Sequence, residues 1–412
     1  VSKAIITVGL GFGDEGKGAT VDYLTRQFNA DLVVRYCGGA QAGHWVRTPD
    51  GKEHCFSQFG AGMLAGAKTY LGPEVIIEPL AMRAEAAHLQ AMGILTPYTW
   101  LYVHPDALVA TPYHMALNRL RELARGSRRH GSCGLGIGET RSHALSRPDE
   151  AIRAAELPRC GELQPKLRAI QAYCVAEAGK LEDLPGGDVP AEFARYLLRK
   201  DPSEIAEELS EAFRARISRT VPEFDTVIFE GSQGVLLDEY KGFDPYTTWS
   251  TVTLKHATEL LSTLHVTASC RLGITRAYTT RHGPGPLPGE YDAVSYPDPG
   301  NIPDDWRGRL RCGALNLALL RYALASLEQP LDGLVVNCLD QDDYFGVVDQ
   351  DAVNPADLSV GVVRDRGSHS AEELCAMLTL YVAPVIITGR GPSANDRTMK
   401  LLPWRTARKG DL

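Results

Sequence analysis

A buried-type strand that runs straight into a glycine-rich stretch and then a helix constrains this chain more than any other feature. Ala4-Ile5-Ile6-Thr7-Val8-Gly9-Leu10 shows no polar alternation and is rich in β-branched residues, the pattern of a strand covered on both faces of a parallel sheet. Gly11 to Gly18 follow, and 20–28 then carry Val21, Leu24 and Phe28 at helical spacing. Asp31-Leu32-Val33-Val34-Arg35-Tyr36 reads as the second strand. Strand, glycine loop, helix and strand make a βαβ unit, whose crossover is right-handed. This predicts an α/β fold on a large, mostly parallel sheet, with ligands at the carboxyl ends of its strands.

Further strands are expected at 226–229, 271–274, 334–336 and, last, 384–387. Between about 112 and 213 the chain is rich in Ala, Leu, Arg and Glu, which predicts a helical excursion, with its plainest turn at Leu184-Pro185-Gly186-Gly187-Asp188. The sequence has no internal repeat. The expectation is a single domain over 1–412, with a helical subdomain at about 112–213.

Charge narrows the partners. Lys and Arg number 43 against 51 Asp and Glu, a net charge of −8, so the chain has no general affinity for nucleic acid or anionic lipid. Any polyanion must meet a local cluster of positive groups. The most apolar long stretch, 315–327, is broken by Arg321, and nothing approaches the about 20 apolar residues needed to cross a bilayer. Nine cysteines without a C-x-x-C pair argue against a disulfide framework or zinc knuckle. The apolar run at 4–10 is too short for a signal peptide. A cytoplasmic chain with no nucleic-acid or membrane partner is expected.

Gly11-Phe12-Gly13-Asp14-Glu15-Gly16-Lys17-Gly18 nearly spells the phosphate-cradling G-x-x-x-x-G-K-[ST]. Backbone N–H groups, the helix N-terminus and Lys17 would all favour an anion. Gly18, however, stands where the Mg²⁺-binding hydroxyl belongs, and Asp14 is an anion where phosphate oxygens should lie. Either the loop binds no phosphate, or Asp14 faces a metal or a proton. A second segment, Gly38-Gly39-Ala40-Gln41-Ala42-Gly43-His44, follows the second strand and should lie at the same sheet edge, where His44 can serve a phosphate oxygen. Gly131-Ser132-Cys133-Gly134-Leu135-Gly136-Ile137-Gly138 offers more backbone donors. Glu230-Gly231-Ser232-Gln233-Gly234 places the Gln233 amide at a loop tip. Asn337-Cys338-Leu339-Asp340 resembles the guanine-reading N-K-x-D, with Cys338 for Lys. Arg307, Arg309 and Arg311, set among Gly300, Pro303, Gly308 and Gly313, read as an anion-gripping loop.

Taken in order, these loops resemble the adenylosuccinate synthetase family. Gly13-Asp14-Glu15-Gly16-Lys17-Gly18 with Val21-Asp22 is similar to W-G-D-E-G-K-G-K-x-V-D, with Phe12 for Trp and Ala19 for Lys. Ala42-Gly43-His44 matches N-A-G-H-T, with Gln41 for Asn and Trp45 for Thr. Gly134 to Gly138 resemble G-T-T-G-R-G-I-G-P, with Ser132-Cys133 for the Thr pair. Phe229 to Gly234 and Leu236-Leu237-Asp238 resemble F-E-G-A-Q-G-x-L-L-D, and Pro245-Tyr246-Thr247-Thr248 resembles P-Y-V-T. Thr280-Arg281 and Gly285-Pro286-Leu287-Pro288 match T-R-V-G-x-G-P-F-P, Leu339-Asp340 matches T-K-L-D, and Thr388-Gly389 leads to Asp396-Arg397-Thr398.

The resemblance implies a P-loop-like GTP-binding fold and a ligase that uses GTP, Mg²⁺, IMP and aspartate to make adenylosuccinate, GDP and phosphate. It implies that Asp14 is general base and metal ligand, that His44 stabilises the phosphoryl transition state, and that Lys17 and the Gly43 backbone hold phosphates and Mg²⁺. Gln233, counted with the catalytic set, Thr248 and Arg147 would grip the acceptor nucleotide, Arg147 from across a homodimer interface. Gly13, Glu15, Gly16, Gly18, Gln41 and Ala42 would line the phosphate side, with Ser132 and Cys133 beside the nucleotide. Asp340 would read the donor base, Arg309 and Arg311 would serve the acceptor and phosphate side, and Arg307, Thr388 and Gly389 would be further nucleotide- or substrate-binding positions.

The departures imply an alternative. Against G-A-T-T-G-R-R-R-R-T-G, the segment 302–313 has lost the Thr pair and one Arg and gained Asp304, Asp305 and Trp306. A paralogue using another amino acid or 6-oxopurine nucleotide is therefore a second expectation, and Cys338 admits ATP as donor. A catalytically silent nucleotide-binding regulator is a third.

Overall fold

The computed structural model describes residues 2–182, 188–291, 296, 298, 300, 301, 306, 308–356 and 359–406. Arg307, Asp304, Asp305 and the turn expected at 184–187 lie outside the described residues.

An eleven-stranded sheet organises the chain. At its centre Lys3–Gly9 pairs in parallel with Thr226–Gly234 on one side and Ala268–Arg276 on the other. Beyond Thr226–Gly234 lie Leu32–Arg35, Lys68–Leu71, Leu101–Val103 and Arg216–Ile217; beyond Ala268–Arg276 lie Gly333–Asn337, Val385–Gly389 and Arg397–Met399. Among the described residues, only Arg397–Met399 and Arg405–Thr406 are antiparallel in this sheet, the latter on Ala268–Arg276. Alternate side chains of the central strand feed two cores. Ile5 packs with Val33, Ile228, Val21 and Leu24, whereas Ala4, Ile6 and Val8 pack with Val34, Phe229, Leu261 and Leu320. Apolar side chains are buried on both faces, which is why the run shows no polar alternation.

Three sequence expectations change. The first two strands are parallel but not neighbours, because Thr226–Gly234 lies between them. Their glycine segments still open at the same sheet edge. The strand begun at Thr226 does not end at Phe229: it runs to Gly234, so Gln233 belongs to the strand end and not to a loop tip. A bulge between Glu230 and Gly234 accommodates the extra residues against the central strand, and Gly234 approaches so closely that a Cβ would fall 2.1 Å from the Gly11 carbonyl oxygen. Finally, Val385–Gly389 is followed by the two antiparallel strands, so it is not the last.

Between 112 and 213 lie the helices Pro112–Arg125, Ile137–Ser146, Cys160–Ala178, Val189–Arg199 and Pro202–Ala212. Several start with Pro in the first turn, where its missing N–H costs nothing, and Thr111 and Asp201 cap two of them. Leu117, Leu167, Leu198 and Leu209 join these helices to the core on the Ile5 side of the sheet.

Candidate active site

The first glycine loop turns Glu15 inward. Its carboxylate accepts from the N–H groups of Gly11 at 3.0 Å and Gly13 at 2.9 Å and bears the Lys17 ammonium. Burial alone would raise this carboxyl, but the Lys17 charge and hydrogen bond, with the Gly13 N–H, bring it below the ordinary carboxylate range. Both side chains are buried. The charge of Lys17 is thus already matched from within the loop, and Asp14 stands outside the pair. Asp14 adopts the left-handed region with φ 61°, a conformation Asp tolerates at modest cost. Its carbonyl receives the Arg276 Nε–H, and its partly exposed carboxylate lies 3.4 Å from His282 Nε2.

The missing hydroxyl has a steric cause. A Cβ on Gly18 would sit 2.8 Å from His44 C, His44 Cβ and the Trp45 carbonyl oxygen. The second glycine segment occupies the space that a Ser or Thr would need. His44 opens the strand His44–Arg47, and its Nδ1 lies 2.5 Å from Glu230 Oε1, both side chains buried. Glu230 Oε2 accepts from the Ala61 N–H at 3.0 Å. Burial lowers the His44 imidazole below its usual range despite Glu230, while Glu230 itself is held below the carboxylate range by His44, against the effect of burial. Arg35, also buried, steadies the segment by donating to the Ala42 carbonyl at 3.0 Å.

Two amides at this edge carry buried atoms that find no partner among the described residues: both polar atoms of Gln41 and Oε1 of Gln233. Buried polar atoms are ordinarily paired, so these await a ligand or ordered water. The 131–138 segment is seated on the helix Pro112–Arg125: Ser132 accepts from Asn118 Nδ2 at 2.8 Å, Asn118 accepts from the Gly136 N–H at 3.3 Å, and Arg119 donates to the Gly134 carbonyl at 3.0 Å. Cys133 lies between these anchors. The Thr248 N–H bonds the Leu237 carbonyl at 2.8 Å, and the next residue, Asp238, orders the following loop with a buried carboxylate that accepts from Tyr240, Lys241 and Val252 N–H groups.

On the other side of the central strand, Asn337 donates to the Glu15 carbonyl at 2.8 Å and to Thr20 Oγ1 at 3.2 Å, tying its own loop to the first one. Cys338 follows with φ 62°, Asp340 is exposed, and Thr388 and Gly389 end the neighbouring strand, where the Gly389 carbonyl accepts the Leu339 N–H. Gly13, Gly16, Gly18, Gly43, Gln41 and Gln233 therefore open at one sheet edge with Asp340, Thr388 and Gly389.

The arginines part company. Arg309 is exposed. Arg311, expected to grip an anion, lies in the strand Leu310–Gly313, where it forks onto both Glu290 oxygens and donates to the carbonyls of Gly283 at 2.8 Å and Gly285 at 2.9 Å. It serves as an internal clamp, because a carboxylate 21 positions earlier in the chain meets its guanidinium. Arg147 bonds Glu150 at 3.1 Å and lies over the Tyr173 ring, half exposed.

Sequence reasoning gave no role to Glu230, His282 or Arg276, and it read Asn337 within a base-reading motif, whereas its amide ties the first glycine loop. A Glu closing the apolar run Thr226-Val227-Ile228-Phe229 was the one available signal, since a buried carboxylate requires a partner.

Mg²⁺ takes hard oxygen donors and relies on few protein ligands when phosphates complete its shell. The partly exposed Asp14 carboxylate and the carbonyl of exposed Gly43 offer that chemistry. Among the described residues no group of three or more His, Cys, Asp and Glu forms a cage of its own. No helix among them is long and apolar enough to cross a membrane.

A parallel sheet with a modified phosphate loop, a buried imidazole–carboxylate pair and unpartnered amides at its carboxyl edge defines a nucleotide-dependent α/β enzyme. The family model for adenylosuccinate synthetase matches residues 6–349. The chain is 32% identical over 345 residues to adenylosuccinate synthetase of Neisseria gonorrhoeae, covering 82% of this chain and 78% of that one. It is 31% identical over 335 residues to that of Chlorobium luteolum, covering 78% and 74%. Its fold is similar to fully ligated adenylosuccinate synthetase from Plasmodium falciparum, with TM-score 0.75 and 18% identity over 96% of this chain and 99% of that one. It is also similar to cyanophage S-2L succinoaminodeoxyadenylate synthetase bound to dGMP and dATP, with TM-score 0.54 and 17% identity over 97% and 95%. The chain belongs to the adenylosuccinate synthetase family, which comprises carbon–nitrogen ligases of purine biosynthesis.

Proposed function

We propose that this chain is a GTP-dependent ligase that phosphorylates the 6-oxo group of IMP and replaces the phosphate with the amine of aspartate. A purine 6-oxo group cannot leave as oxide, so it must first be phosphorylated. Asp14 takes the N1 proton, which makes O6 nucleophilic toward the γ-phosphorus of GTP. The O6–P bond forms as the bond to GDP breaks, and His44 stabilises charge on the transferring group. The aspartate nitrogen then attacks C6, phosphate leaves, and the nitrogen gives up a proton. Asp14 and the Gly43 carbonyl would hold Mg²⁺, which when bound would supply charge neutralisation on the phosphates. The hydrogens of Lys17 that Glu15 does not take, and the loop N–H groups other than those of Gly11 and Gly13, hold those phosphates, Gln41, Gln233 and Thr248 the acceptor, and Asp340 the donor base.

The observation that carries this reading is the division of labour between neighbouring acids. Glu15 neutralises Lys17, which leaves the Asp14 carboxylate available to a proton and a cation. In this reading the protein works in the cytoplasm as a homodimer, with Arg147 reaching the partner's acceptor nucleotide.

A changed amine or acceptor is the second reading, and Trp45 favours it. Its indole, 46% exposed where the resembling motif has Thr, donates to the Gly300 carbonyl at 3.0 Å, just before the 302–313 segment. Turnover decides between them. The purified protein is given GTP or ATP with IMP or dGMP and a panel of amino acids, and phosphate release and the purine absorbance change are followed. Phosphate from GTP, IMP and aspartate establishes the first reading, and selective use of another amine or acceptor the second. Tight nucleotide binding with no phosphate from any 6-oxopurine leaves a silent regulator.

A further inference from the structure

His282 stands where the motif T-R-V-G-x-G-P-F-P has Val, and it lies against the residue assigned as base. Its proton can be placed from its neighbours. The Asp298 carboxylate only accepts, and Asn301 Nδ2 donates to Asp298 Oδ2 at 2.8 Å. Asn301 Oδ1 therefore faces His282 Nε2, at 2.9 Å, and Nε2 must carry the hydrogen. Asp14 Oδ2 lies 3.4 Å from the same nitrogen. Asp298 also accepts from Arg276 at 2.8 Å, and the Arg276 Nε–H returns to the Asp14 carbonyl. Asp14 is thus held twice by one closed ring, through its backbone by Arg276 and beside its carboxylate by His282.

We propose that His282 is a positioning residue for Asp14, an inference that rests on the ligase reading above. Its Nε2–H is shared between Asn301 and Oδ2. A contact of 3.4 Å is long for a hydrogen bond, and bonds of this kind tighten when substrate engages the base. Held by Nε2–H, Oδ2 fixes the carboxylate rotamer and leaves the other oxygen to take the purine proton. A valine would pack at this position but could not orient the carboxylate.

The test compares wild type with His282→Val and His282→Gln, whose amide nitrogen restores a donor at the Nε2 position. The expected result is a fall in kcat for His282→Val of about tenfold to a hundredfold, with the KM for GTP and the melting temperature unchanged and part of kcat regained in His282→Gln. Wild-type kcat in His282→Val overturns the proposal, as does a joint loss of kcat, GTP affinity and melting temperature, which marks a structural role. A wild type silent with every acceptor instead defeats the ligase reading. Crystal structures of wild type and His282→Val with Mg²⁺ and a non-hydrolysable GTP analogue then decide the positioning role. A displaced Asp14 carboxylate in the variant supports it, and the same rotamer in both overturns it.

Discussion

His44 Nδ1 and Glu230 Oε1 lie 2.5 Å apart, from residues 186 positions apart in the chain and both buried. With Nδ1–H given to Glu230, the Nε2 edge donates only when the ring is protonated, and a buried ring needs the carboxylate to be so. Glu230→Gln should therefore lower kcat by about a hundredfold or more. GTP affinity by calorimetry should stay close to wild type, because the pair acts on charge that develops in the transition state. Equal losses of kcat and affinity would place His44 in ground-state binding instead.

Restoring the phosphate-loop hydroxyl should damage the protein. In Gly18→Ser the new Cβ falls 2.8 Å from the His44 and Trp45 backbone, which cannot yield as a side-chain tip would. A loss of about 1–3 kcal/mol is expected, read as a lower denaturant midpoint, together with lost turnover because His44 is pushed from its place. A Gly18→Ser protein as stable and active as wild type would show that the two loops separate readily.

How far the sequence reveals this site depends on how local each cause is. The strand 4–10 and its loop are legible because burial on both faces and the glycine spacing are properties of adjacent residues. The extension of Thr226–Gly234 is not, since two glycines and a bulge disguise strand as loop. Asp14 and Glu15 look alike in sequence, and only the fold turns one toward Lys17 and the other toward His282. Arg309 and Arg311 alternate like a gripping pair, but Glu290 meets Arg311 because its segment bridges antiparallel to Gly313 at the end of Leu310–Gly313. Alternation reveals that two side chains share a face, not what stands opposite.

These two arginines should separate experimentally. Arg311→Ala leaves Glu290 and two carbonyls without their donor and should cost about 1–3 kcal/mol of stability. Exposed Arg309→Ala should stay within about 0.5 kcal/mol of wild type yet raise the KM of acceptor or amine. Urea titration and steady-state kinetics on both variants check this. A destabilised Arg309→Ala with a harmless Arg311→Ala would reverse the assignment.

Acid sensitivity should arise partly at His114. Burial, helped by nearby His143, lowers its imidazole from 6.5 to about 3, and its buried Nε2 finds no partner among the described residues. Above pH 6.5 neither folded nor unfolded chain holds the proton, so the group contributes nothing. As pH falls from 6.5 toward 3 the unfolded chain takes up the proton and the fold excludes it, so stability falls by at most about 1.4 kcal/mol per pH unit. His114→Gln removes the titration and keeps the capping arrangement with Thr111. Denaturant midpoints at pH 7, 6 and 5 should favour the variant increasingly toward acid, and parallel profiles would exclude His114 as the source.

Arg147 offers the sharpest test of a shared site. Within one chain its guanidinium, half exposed, meets Glu150 and the face of Tyr173, with no buried role to explain it. If it completes the partner's acceptor pocket, Arg147→Ala should raise the KM for the acceptor nucleotide while stability stays within about 0.5 kcal/mol, as for most exposed substitutions. Asp14→Ala should abolish turnover outright. Each homodimer then has two damaged sites, but a mixed dimer holds one site in which both lesions fall together and one that is intact. Mixing the two variants should recover activity that neither has alone, growing as subunits exchange and absent at concentrations too low for dimers. Mixtures that never exceed the sum of their parts would confine Arg147 to its own chain.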